Sequence, residues 1–156
     1  MATLDVHFPV GMVRVLAKPE GVVAMRILDA GAEPAVADGG DVAANAHLRS
    51  AADWVAAYAA GRELPASPAL VPAGTPFQRD VWQACAQIPF GETRSYADIA
   101  KAIGRPTAYR AVANALSRNP WWLVVPCHRV VGSDGIGGYA GGLEKKEWLL
   151  AHERGG

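Results

Sequence analysis

The spacing of apolar and polar positions divides the chain into a strand-prone beginning and a helical remainder. Met12–Leu16 and Val22–Leu28 are short β-prone runs, and the "KPEG" near their junction supplies the Pro and Gly of a turn. Residues 29–40, "DAGAEPAVADGG", predict a small-residue loop. Asp41 is a candidate N-cap for a helix through "VAANAHLRSAADWVAAYAA", and Gly61 suits the position just past its end. Three prolines in the thirteen residues of "RELPASPALVPAG" then predict a linker. The pattern gives an N-terminal α/β domain over 1–66, a linker over 67–74 and a C-terminal domain over 75–156. The fold class is α+β, with antiparallel strands and a helix first and a mostly helical domain second.

In the second part Pro76 suits the first turn of a helix whose apolar stripe is Phe77, Val81, Trp82, Cys85 and Ile88. Cys85 lies inside that stripe and reads as a small buried hydrophobe. Ser95 caps "YADIAKAI", Gly104 ends it, and a second helix follows from about Thr107 to Arg118, which makes a helix-turn-helix. Ala108, Val112, Ala115 and Leu116 share the packing face of that second helix. Arg110 points away from them, with Asn114 one turn later, and four alanines keep the helix slim. "NP" at 119–120 stops it, and Trp121–Val125 predicts a strand. "GSDGIGGYAGG" is a glycine-rich loop without the Gly-Lys-Ser/Thr of a phosphate loop. The last helix, "LEKKEWLLAHE", is expected to pack through Leu143, Leu149 and Leu150, with Glu153 one turn beyond.

Length, 156 residues, allows one core, or a small lobe attached to a larger one. No apolar run nears the roughly 18 residues of a membrane span. The start, "MATLDVHFPV", lacks the basic and apolar regions of a secretory signal, so a cytoplasmic protein is expected. Two cysteines form no disulfide framework and exclude a four-cysteine zinc site. The net charge of zero argues against nucleic acid until the chain is divided. Residues 75–130 carry 7 Lys+Arg against 3 Asp+Glu, or +4, whereas residues 1–74 carry 5 against 8, or −3. Arginine-rich asymmetry of this kind is compatible with phosphate contact.

The chemistry concentrates in "VPCHRV", Val125 to Val130. A free thiol is only a few per cent thiolate at neutral pH, so a nucleophilic cysteine needs a base or a positive field. His128 and Arg129 bring both beside Cys127, and Pro126 fixes a backbone angle just before it. His7, His47 and His152 are scattered without ligand spacing, which disfavours a metal site. The residues alone leave a nucleophile, a structural cysteine and a metal ligand all open.

"TPFQRDVWQACAQIPFGETRSYADIAKAIGRPTAYRAVANALSRNP" followed by "NPWWLVVPCHRVVGSDGIGGYAGGLEKKEWLLAHE" closely resembles the O6-alkylguanine-DNA alkyltransferases, the methylated-DNA–protein-cysteine methyltransferases. The resemblance runs from Thr75 to Glu153. It implies a DNA repair protein that flips O6-alkylguanine, with O4-alkylthymine as a second candidate, out of duplex DNA. The alkyl group would pass irreversibly to Cys127, once per molecule, without cofactor or metal. It further implies that His128 acts on the thiol through a water, that Glu153 orients His128, and that Asn119 braces the active-site turn. Tyr96 would assist departure of O6 and rotate the flanking phosphate, and Arg110 would fill the gap left by the base. Val130, Tyr139 and Ala140 would form the base pocket, and Arg105, Ala97, Gln78 and Ser133 would meet the DNA backbone. The expected partner is damaged duplex DNA bound through its minor groove by a monomer, with no membrane. Three departures from the family stand out: a Gly135–Tyr139 loop one residue short, Trp121–Trp122, expected to narrow or reshape the approach to the pocket, and no cysteine for the N-terminal zinc site of some members. Rival readings are a helix-turn-helix regulator with a structural cysteine, and a damage sensor, against which the intact Cys127 argues.

Overall fold

The computed structural model describes residues 1–33 and 41–155, so the predicted 29–40 loop lies partly outside the described residues. Their contacts divide into two compact units, Met1–Pro72 with Pro120–Trp122, and Ala73–Asn119 with Leu123–Gly156.

In the first unit β1 (Ala2–Phe8), β2 (Gly11–Lys18) and β3 (Gly21–Leu28) form an antiparallel sheet in the order β1-β2-β3. Val13, Val15 and Ala17 alternate inward and are buried, together with Phe8, Met25 and Ile27. Helix α1 (Val42–Ala59) packs against all three strands, its buried face including Leu48, Trp54, Val55 and Tyr58. The Asp41 carboxylate accepts a hydrogen bond from the Ala44 N–H and caps it, as the sequence implies. The sequence reading omits β1, although Ala2, Leu4, Val6 and Phe8 alternate there with Thr3, Asp5 and His7. Gly11 is required at the β1–β2 turn: its φ is +145°, and a Cβ would lie 1.9 Å from the Leu28 carbonyl oxygen.

Two stretches expected elsewhere line β3. The Val22 N–H donates to the Ala69 carbonyl and the Val71 N–H to that of Val22, so part of the stretch read as a linker pairs with the sheet. Trp121 bridges Met25, and its indole N–H donates to the Val22 carbonyl at 3.1 Å. The predicted strand over Trp121–Val125 does not form as one piece. Leu123 takes φ 75° and turns the chain, so an apolar run that signals burial is divided between the two units. Trp121 and Trp122 are buried in the first unit.

The second unit contains α2 (Pro76–Ala86), β4 (Arg94–Ser95), α3 (Tyr96–Ala102), α4 (Tyr109–Ser117), a 3-10 turn (Cys127–Arg129), β5 (Val130–Val131) and α5 (Leu143–Glu153). Reciprocal capping boxes, Thr75 with Gln78 and Ser95 with Asp98, start α2 and α3. Val112, Ala115 and Leu116 bury one face of α4, and the Trp82 indole N–H donates to the Ala115 carbonyl at 2.8 Å, tying α2 to α4. Helix α5 differs from the sequence reading at its start. Leu143 is 48% exposed, and Lys146 takes a core position with Leu149 and Leu150.

Candidate active site

Three short pieces of backbone bring the chemistry together within the second unit. The parallel pairing of Arg94–Ser95 with Val130–Val131 sets the first residue of α3, Tyr96, beside the segment that carries Cys127. The 3-10 turn places Cys127, His128 and Arg129 consecutively in the interior. Helix α5 presents Lys146, Leu149, Leu150 and Glu153 at i, i+3, i+4 and i+7 on one buried face.

Glu153 anchors a buried charge array. Its Oε2 lies 2.5 Å from His128 Nε2, and its Oε1 accepts from Arg129 Nε at 2.6 Å. Arg129 Nη2 donates to Oε2 at 3.2 Å, Arg129 Nη1 to the Ile88 carbonyl at 2.8 Å, and the Gly91 N–H to Oε1 at 3.3 Å. The arginine also lies over the Phe90 ring, 5.6 Å from its centre. An ionised carboxylate only accepts, so Nε2 of His128 carries the proton and Nδ1 is the basic nitrogen of the neutral ring. Complete burial holds the His128 pKa below its ordinary value despite Glu153, which keeps the ring neutral and basic near pH 7.

Cys127 is buried, at 8% exposure, and burial raises its pKa. A hydrogen bond from Asn119, the Lys146 charge and nearby backbone N–H groups oppose that shift without cancelling it. Asn119 also donates through Nδ2 to the Val125 carbonyl at 2.8 Å and so braces the turn that carries the thiol. The resting group is therefore a thiol, and nucleophilic use requires a base.

Cys127 opens on a cavity of about 470 Å³ lined by Tyr96, Ala113, Leu116, Ser117, Gly138, Tyr139 and Ala140. That volume falls in the usual range for a small-molecule site. Tyr96 is held there by a hydrogen bond to the Gly138 backbone, and burial raises its pKa, so it stays a protonated donor. Gly137 permits the approach: at φ +76°, a Cβ there would lie 2.6 Å from the Tyr96 hydroxyl.

The sequence reading did not select Lys146 or the clamp made by Arg129. Lys146 Nζ donates to the Val130 carbonyl at 2.7 Å and to the Gly138 carbonyl at 2.9 Å, joining β5 to the glycine-rich loop. Burial lowers its pKa to about 8. Lys146 is legible in the sequence, since it shares the α5 face set by Leu149 and Leu150, whereas nothing in the spacing signals the Arg129 clamp. Val130, expected in the base pocket, is fully buried outside the cavity lining, and its carbonyl already accepts from Lys146.

Arg110, Arg105 and Ser133 are exposed, and Ala97 is partly exposed. Arg105 lies over the Phe77 ring, 5.7 Å from its centre. The Gln78 carbonyl oxygen is committed to the Thr75 N–H in the capping box. Among the described residues no group of three His, Cys, Asp or Glu side chains is placed to hold a metal ion, and no helix is long and apolar enough to cross a membrane.

A buried thiol beside a neutral imidazole, opening on a pocket lined in part by the second helix of a helix-turn-helix, is a site built to take a group onto sulfur. The family model for the DNA-binding domain of 6-O-methylguanine DNA methyltransferases matches residues 76–155. Over 150 residues the chain is 41% identical to the methylated-DNA–protein-cysteine methyltransferase of Mycolicibacterium paratuberculosis, covering 96% of this chain and 90% of that protein. It is 64% identical over 81 residues to a probable methylated-DNA–protein-cysteine methyltransferase of Acanthamoeba polyphaga mimivirus, a match spanning 52% of this chain and 54% of that protein. The crystal structure of the Mycobacterium tuberculosis O6-methylguanine methyltransferase superposes with a TM-score of 0.84 at 36% identity, covering 99% and 93% of the two chains. The same organism's OGT in complex with DNA gives a TM-score of 0.82 at 35% identity, covering 97% and 91%. The chain belongs to the 6-O-methylguanine DNA methyltransferase family, whose members are DNA-repair methyltransferases with a cysteine acceptor.

Proposed function

We propose that this protein repairs O6-alkylguanine, with O4-alkylthymine as a second candidate, by moving the alkyl group to its own Cys127 irreversibly and once per molecule. The observation that carries the proposal is the array of His128, Glu153 and Arg129 behind a thiol that opens on a base-sized pocket. His128 Nδ1 takes the thiol proton through a water, and Glu153 stabilises the imidazolium so formed. Arg129 keeps Glu153 anionic for that purpose. The sulfur attacks the alkyl carbon, a C–S bond forms as the C–O6 bond breaks, and the Tyr96 hydroxyl supplies a proton to the departing guanine. Asn119 holds the turn during attack. A thioether cannot reverse the step, so each molecule is consumed.

The target lies inside the duplex and must be extruded at a cost of a few kcal/mol. Arg110, on the slim second helix of the motif, occupies the vacated position from the minor groove. Arg105, Ala97, Gln78 and Ser133 meet the backbone, while Tyr139 and Ala140 line the pocket around the base. The 75–156 segment carries these functions, 1–66 forms the companion domain, and the protein acts as a cytoplasmic monomer without metal or cofactor. In the test, the protein is incubated with a duplex containing one O6-methylguanine and its peptides are weighed. One added methyl group on the peptide bearing Cys127, absent in Cys127→Ser, is the expected result. No added mass despite damage-selective binding would make the protein a sensor, and no preference for damage would overturn the reading.

A further inference from the structure

Arg110 is not the sole large exposed side chain at the start of α4. Tyr109, the first residue of the helix, is 49% exposed. Among the described residues, neither its ring nor the Arg110 guanidinium makes a side-chain hydrogen bond, ion pair or ring contact. At about 100° per residue, taking Tyr109 as zero, the pocket-lining residues Leu116, Ala113 and Ser117 fall near −20°, 40° and 80°. Tyr109, at about 0°, therefore lies within the pocket's sector of the helix, near its Leu116 edge, and Arg110, at about 100°, lies just past its Ser117 edge. Tyr109 lies one turn above Ala113, about 6 Å along the axis. Its side chain leans toward the helix start, so the ring extends the rim rather than filling the cavity.

An exposed aromatic ring is costly to leave in water and useful beside an opened stack, where it can cover the face of a base. We infer that Tyr109 is a second nucleotide-holding residue. Its ring stacks on the nucleotide next to the extruded one on the damaged strand, while Arg110 takes the vacated position. Tyr109 then acts above the lining within the pocket's sector and Arg110 at its edge, one by stacking and one by charge, and both oppose return of the base. The inference rests on the alkyltransferase reading above and adds to it a residue that acts on duplex DNA only.

The test compares wild-type protein with Tyr109→Ala and Tyr109→Phe on two substrates, a duplex containing one O6-methylguanine and the free base O6-methylguanine. Tyr109→Ala is expected to slow transfer from the duplex about tenfold or more. Transfer from the free base should stay within about twofold, and Tyr109→Phe should keep the duplex rate. In a Cys127→Ser background, 2-aminopurine beside the lesion should fluoresce more brightly with the alanine variant, because the ring that quenches it is gone. An unchanged duplex rate in Tyr109→Ala overturns the inference, as does an equal loss on both substrates, which would make Tyr109 part of the pocket's support. Failure of the wild type on both substrates would instead overturn the alkyltransferase reading, and this inference with it.

Discussion

At Glu153 one carboxylate serves two neighbours of different kinds, a neutral imidazole and a guanidinium, in a place almost closed to water. A buried charge is tolerated only when paired, and removing one partner of such a pair costs about 3–5 kcal/mol. Glu153→Gln keeps the shape, but its single amide oxygen cannot accept from both His128 Nε2–H and Arg129, and Arg129 becomes a buried cation facing a neutral amide. Urea denaturation should therefore show a stability loss of about 3–5 kcal/mol, and transfer should slow even from the free base. Unchanged stability would mean that the Ile88 carbonyl and the Phe90 ring suffice to hold the arginine. The importance of Glu153 could not be read from its position three residues from the end, where a carboxylate ordinarily sits in water. It becomes legible on the face shared with Leu149 and Leu150. Asn119 is similar: its side chain bonds a carbonyl six residues on, a contact that no periodicity encodes.

Between elements, Lys146 does for the pocket what Asn119 does for the turn, linking α5 to β5 and to the loop that holds Tyr96. Its pKa of about 8 in the folded protein lies below the ordinary lysine value of 10.5, because burial penalises the charged form. Between those values the unfolded chain holds more protons than the folded one, so this group's contribution to stability rises with pH. The buried thiols and Tyr96 act in the opposite sense above about pH 9, since burial raises their pKa values. The clean quantity is thus the difference between wild type and Lys146→Met. Measured by denaturation from pH 7 to 10.5, wild-type stability relative to the variant should climb above about pH 8. A flat difference would show that the lysine is not desolvated. Helices α1 to α3 were legible because each opens on a cap residue or proline and closes near a glycine or apolar stripe. The joins were not. The Trp121–Val125 run has strand composition, yet its first two residues serve one unit and the rest another, a division decided by pairing with Met25.

For the whole molecule, charge is arranged rather than accumulated. The chain sums to zero, with −3 over residues 1–74, +4 over 75–130 and −1 beyond. A protein that neutralises Z phosphates on duplex DNA releases counterions, and log K falls with log salt at a slope of about −0.9Z. Of the seven cations in 75–130, Arg129 is committed to Glu153 and the proposed role of Arg110 takes it into the opened stack, which leaves five for phosphates. The net +4 of the middle segment is an upper guide to Z, which puts the slope at about −4 or shallower. Titrating Cys127→Ser with duplex DNA between 50 and 300 mM salt measures it without consuming the protein. A slope near −8 would require many more phosphate contacts than the exposed arginines of 75–130 can make. It would place a large part of the DNA on the first unit, whose charge is negative. The shallow slope follows from the division of labour in the second unit. Most of its buried cations build the pocket, and the fit of the base, not attraction to the backbone, has to provide the preference for damage.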